Sequence, residues 1–193
     1  MIKTIINPFL KYSEKQLLSV GLLFFVLGGY LATLFNGRFD GVIDLHFVQK
    51  VNFSQPYIDL ILSISMVSLL LFALGKYINE KTRFIDILAT SIIAKIPFYF
   101  LLFFNINNKL YTITEKLMSN VLKGKGLDLQ FYDMSILIVS AILTLLFLVW
   151  TITLLFNGFK TATNAKENKH FLFFAIAILI SELLSKILIS IFN

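Results

Sequence analysis

Five apolar runs, at 17–35, 57–74, 86–104, 134–156 and 171–192, each come close to the roughly 20 helical residues that cross bilayer hydrocarbon. In a chain of 193 residues they leave room for little else. Backbone groups that cannot reach water must be paired within their own segment, so each run is expected to be an α-helix. At 58% hydrophobic residues and a mean hydropathy of +0.83, the chain is too apolar for a soluble domain of its size. The expected fold class is therefore an all-α membrane protein: a single five-transmembrane-helix bundle over 17–193, preceded by an interfacial amphipathic segment at 1–16.

Charge orients the bundle. The N-terminal segment (Lys3, Lys11, Lys15), the second loop (Lys76, Lys81, Arg83) and the fourth loop (Lys160, Lys166, Lys169) hold three basic residues each, against two in the first loop and none at the C-terminus. The third loop holds four, spread over a much longer segment. By the positive-inside rule the N-terminus is cytoplasmic and the C-terminus outside. The net charge of +6 is thus a matter of anionic lipid and topology, not of nucleic acid. The absence of cysteine excludes a disulfide, a thiolate nucleophile and a Cys-ligated metal. The first apolar run is longer than a signal-peptide core and ends in no small-residue cleavage site, so it is expected to be a retained span.

Between the spans, Ile2, Ile5, Ile6, Phe9 and Leu10 alternate with lysines at helix-like spacing broken at Asn7-Pro8, as in a helix lying at the headgroup boundary. Leu110, Ile113, Leu117, Val121 and Leu122 predict an amphipathic helix, with Thr112 and Glu115 as a capping box and Lys123-Gly124-Lys125-Gly126 as its end. Asp44-Leu45-His46-Phe47 and Asp128-Leu129-Gln130-Phe131, the latter within an alternating stretch that starts at Leu127, are expected to pair as two short strands on the outer face. Asp40, Asp44 and His46 form a candidate metal set, but two carboxylates and one imidazole without a fourth ligand are the weaker reading beside a solvated polar edge. Gly28, Gly29, Ala32 and Thr33 give the first span a small-residue patch for close helix approach.

Ionisable residues inside the spans point to the candidate site. Glu182 and Lys186 are i and i+4, on one face of the fifth span with the acid N-terminal to the base. Lys95 stands two residues before Pro97 in the third span, where proline frees the carbonyl of Ile93. A charge at the centre of a span costs about 2.5–3.5 kcal/mol, so each needs a partner or a water-filled cavity. Spans three and five run parallel, and Lys95 and Glu182 lie about 13 and 17 Å in from the cytoplasmic ends. The expected site is a buried polar centre of Lys95, Glu182 and Lys186, with the carbonyl freed by Pro97 and the hydroxyls of Ser181 or Ser185 as further partners.

Asn7-Pro8-Phe9, Asn36-Gly37-Arg38-Phe39-Asp40-Gly41, Ala94-Lys95-Ile96-Pro97, Asn157-Gly158-Phe159-Lys160 and Ser181-Glu182-Leu183-Leu184-Ser185-Lys186 together resemble a prokaryotic member of the Yip1-domain family. The resemblance implies a five-span helical domain in a prokaryotic cytoplasmic membrane with its N-terminus in the cytoplasm. Eukaryotic members are associated with Rab-type GTPases, but this chain has neither their long cytosolic N-terminal region nor their Asp-Leu-Tyr-Gly-Pro segment, which argues against such a partner. The expected function is a non-enzymatic membrane-organising or interaction role without a cofactor, the partners being membrane lipid, a further copy or another membrane protein. The rival expectation is a small transporter, channel or lipid-handling protein whose polar pathway or anion site is Lys95, Glu182 and Lys186. A hydrolase is the weakest reading, because no serine–histidine pair or metal-ligand cluster falls within the spans.

Overall fold

The structure, a computed structural model, describes residues 2–126 and 128–192; Met1, Leu127 and Asn193 lie outside the described residues. Its elements in order are α1 (Ile2–Ile6), a 3-10 turn (Pro8–Leu10), α2 (Glu14–Leu34), β1 (Gly37–Arg38), β2 (His46–Phe47), α3 (Gln55–Ile78), α4 (Phe84–Leu101), a 3-10 segment (Leu102–Asn108), α5 (Lys109–Leu122), α6 (Phe131–Thr163) and α7 (Asn168–Phe192). Five helices, the third of which runs on from α4, are long and apolar enough to cross a membrane.

Helix starts follow local chemistry. Ser13 closes a capping box with Gln16, so α2 begins at Glu14, three residues before the apolar run. Pro56 sits in the first turn of α3, where its missing N–H costs nothing, although Ser54 makes no side-chain cap. The capping box expected at Thr112 and Glu115 does not form. The helix starts earlier, at Lys109 after left-handed Asn108, and Thr112 Oγ1 donates back to the Asn108 carbonyl at 2.8 Å. Gly124 and Gly126, at φ +72 and +66, take the left-handed conformation that stops α5.

α4 is the hub. It packs on α6 and α2 and also meets α3, which carries α7 on its other side. Of the most apolar window in the span that begins at Phe84, 72% is buried, against 11% for α6, so α4 is central and α6 peripheral. Small residues set the approaches: Gly21 lies against Ile92, Gly28 against Tyr99, Gly29 against Tyr57 and Gly158 against Thr90. A Cβ at Gly158 would stand 2.3 Å from Thr90 Cγ2, and threonine is too short and branched to swing aside. Gly158→Val is accordingly expected to lower stability by about 1–3 kcal/mol through overpacking, read as an earlier thermal unfolding transition in detergent; an unchanged transition would contradict this packing.

The two ends of the bundle differ. At one end Arg83 pairs with Glu14 and Asp86, and Asn79 Nδ2 donates to the Thr163 carbonyl at 3.3 Å, which brings together the N-terminus, the α3–α4 turn and the α6–α7 turn. Hydrogen bonding by Asp86 holds the Arg83 guanidinium above its usual pKa. At the other end an asparagine corner ties the α2–α3 loop to the segment after α4. Asn36 Nδ2 donates to Asn108 Oδ1 at 2.8 Å, and Asn105 Nδ2 to the Phe35 carbonyl at 2.7 Å.

The strands pair differently from the expectation. His46 and Phe47 lie antiparallel to Arg38 and Gly37, while residues 128–130 form no strand and Phe131 opens α6. Two segments of one short loop meet at a far lower closure cost than segments more than 80 residues apart. The consequence is a finger: β1 and β2 form its base and residues 39–45 its tip.

Candidate functional site

The finger tip enters the bundle. Phe39, Gly41 and Val42 are buried, so the loop expected as a solvated edge is partly core. Residues 39–45 lie outside the two-stranded ladder, and buried peptide groups demand partners. Charged side chains from three helices supply them.

α4 contributes Lys95, which is 3% exposed. Its Nζ donates to the carbonyls of Gly41 and Val42 at 2.7 and 3.0 Å, and lies 5.2 and 5.4 Å from the ring centres of Phe39 and Phe98. Charge-assisted bonds and two aromatic faces offset the desolvation of the ammonium. α7 contributes Glu182, whose Oε2 accepts from the Ile43 N–H at 3.0 Å and whose Oε1 lies 3.2 Å from Lys186 Nζ. Lys186 also pairs with Asp44 at 2.7 Å, where both side chains are more than two-fifths exposed. That outer pair contributes little to stability.

α3 contributes Asp59, with a side chain of 0% exposure. Both of its carboxylate oxygens engage Arg38 in β1, Oδ2 with Nε at 2.6 Å and Oδ1 with Nη2 at 2.9 Å, and Oδ2 also accepts from the Phe39 N–H at 3.3 Å. The fork holds the Arg38 guanidinium above its usual pKa, with the hydrogen bond it donates to Asp59 as the main cause. Asp59 was open to sequence reasoning: it is a carboxylate inside the second apolar run, the same signal that exposes Glu182.

The polar centre therefore differs from the expected three-residue tie. Lys95 and Glu182 form no ion pair with each other among the described residues; each binds the finger, and residues 41–43 bridge α4 to α7. Ser181 and Ser185 do not join the centre. Their hydroxyls donate to Ala177 and Glu182 carbonyls of their own helix, at 2.7 and 3.0 Å, because a short hydroxyl on a helix reaches the preceding turn first. Pro97 is buried within a continuous α4, and Lys95 turns to the finger instead of to the backbone near Pro97. A Cβ at Gly41 would stand 2.4 Å from the Glu182 carboxylate, so a side chain there would push that carboxylate off its present place beside Ile43.

The candidate metal set is dispersed. His46 Nδ1 pairs with Asp40, while Asp44 turns to Lys186. Among the described residues no group of three His, Asp or Glu side chains is placed to hold a metal.

Lys95 lies about 9 Å from the finger end of α4, and Glu182 about 15 Å from that end of α7. The cavity that touches Lys95, lined also by Ser63, Ser91 and Thr151, has a volume of about 10 Å³, which is room for one water at most.

No family model, no curated protein and no solved structure matches this chain.

Proposed function

We propose that this is an integral membrane protein of Yip1-like type with a non-enzymatic, membrane-organising or interaction role, whose charged centre is architectural. Irregular backbone at membrane depth is tolerated only where protein or a water-filled cavity satisfies it. Here Lys95, Glu182 and the Arg38–Asp59 fork bind the finger backbone or each other, and the cavity at Lys95 is too small for a pathway. That engagement is the observation that carries the reading. Of the residues that carry the family resemblance, Arg38, Gly41, Lys95, Glu182 and Lys186 take part in this engagement, joined by Asp59, Val42 and Ile43.

In the proposed orientation the basic N-terminal end faces the cytoplasm and the finger and α5 face outside. α5 buries Ile113 but leaves Met118, Val121 and Leu122 exposed, as a helix at a lipid or partner surface would. Glu182→Gln tests the reading. Glutamine Oε1 still accepts from Ile43, so the variant should fold with a loss of about 1–2 kcal/mol, and neither parent nor variant should carry solute or lipid across liposomes. Flux in the parent that disappears in a stable Glu182→Gln variant would establish the transporter reading instead.

A further inference from the structure

The N-terminal segment packs along α6 and α2, with Phe9 against the core. Beneath it lies an apolar cavity of about 610 Å³, within the size range of small-molecule sites. Ile93 and Ile96 of α4 form its floor, Val20 of α2 and Trp150 and Leu154 of α6 its walls, and Pro8 part of its roof. The roof is fastened by two bonds from α6: Trp150 Nε1 donates to the Ile5 carbonyl at 3.2 Å and Asn157 Nδ2 to the Ile6 carbonyl at 3.0 Å.

Lys3 and Lys11 line an adjoining hollow of about 350 Å³ that shares Thr4 with the cavity, and Lys11 Nζ lies 5.3 Å from the centre of the Tyr12 ring, which lines the cavity; Lys15 is exposed on the first turn of α2. Glu14, the one acidic residue of 1–16, is already engaged by Arg83. The site thus joins an apolar chamber to positive charge that no carboxylate of the segment offsets.

We propose that the cavity takes one acyl chain of an anionic phospholipid, with the phosphate at Lys3 and Lys11. This rests on the reading that the five helices span a bilayer with the N-terminus in the cytoplasm, which places the cavity at the cytoplasmic leaflet, where anionic lipid is available. An uncharged apolar ligand would fill the chamber but leave the lysines unused. A zwitterionic lipid carries its own cation to the same rim, so charge selects the anionic headgroup.

Trp150 is the sole tryptophan of the chain and lines the cavity, so its fluorescence reports occupancy. The full chain is reconstituted in phosphatidylcholine liposomes containing equal mole fractions of phosphatidylglycerol or phosphatidylcholine brominated on one acyl chain. Brominated phosphatidylglycerol is expected to quench Trp150 with about fivefold higher apparent affinity or more, from the electrostatic contribution of each lysine. Lys3→Gln with Lys11→Gln should equalise the two lipids. Val20→Phe, which narrows the chamber and leaves the lysines in place, should also reduce the preference, and circular dichroism checks that both variants fold. Equal quenching by the two lipids in the parent overturns the proposal, as does a preference that survives the double lysine variant. Failure of the parent to float with the liposomes overturns the membrane reading as well, whereas flotation without lipid preference overturns the lipid site alone.

Discussion

Lys95→Met is expected to destabilise the protein by about 3 kcal/mol and to release the finger before the bundle melts. Two opposing effects meet at this position. Methionine removes the desolvation penalty of a buried ammonium, which favours the variant. It also leaves the Gly41 and Val42 carbonyls without their donor, at about 1–3 kcal/mol each. The Phe39 and Phe98 rings lose a cation within 5.5 Å as well. The loss should win, because methionine fills the space without donating. Unfolding in mild detergent gives the magnitude, and limited proteolysis gives the location, with new cleavage at 39–45 under conditions where the helices stay intact. Unchanged stability with a protected finger would show that the Lys95 bonds contribute nothing net.

The location matters because it separates what was legible in the sequence from what was not. The five helices followed from apolar length alone, since runs of about 20 residues are twice what a barrel strand needs and pair their own backbone as helices. Lys95, Glu182 and Lys186 were visible as charges in apolar runs, and the demand for partners was sound. The pairing of Glu182 with Lys186 was visible too, but the finger partners of Lys95 and Glu182 were not, because Gly41, Val42 and Ile43 act through backbone groups that any residue carries, across 54 and 53 residues from Lys95 and 139 from Glu182. The finger itself was hidden by its polarity, since Arg38, Asp40, Asp44 and His46 resemble an ordinary surface loop. Period-two alternation correctly gave extended chain at His46 and Phe47 but holds no information on which strand lies beside it.

Asp59 shows the other kind of miss, and its pairing gives the second large expectation. Arg38→Ala and Asp59→Ala should each cost about 3–5 kcal/mol, because each removes one member of a buried ion pair and leaves the other in a site built for two. The double variant should cost clearly less than the sum, with a coupling energy of about 2–3 kcal/mol, because no buried charge is then left behind at this position. Arg38→Lys distinguishes geometry from charge. A lysine keeps the positive charge but cannot span both oxygens of Asp59, so its stability should fall nearer to Arg38→Ala than to the parent. Additive single effects would mean that the two residues act separately. Rescue by lysine would mean that charge alone, not the fork, anchors the base of the finger to α3. Coupling with no lysine rescue would identify the fork as the hinge pin of the finger, leaving Lys95 and Glu182 to seat its tip.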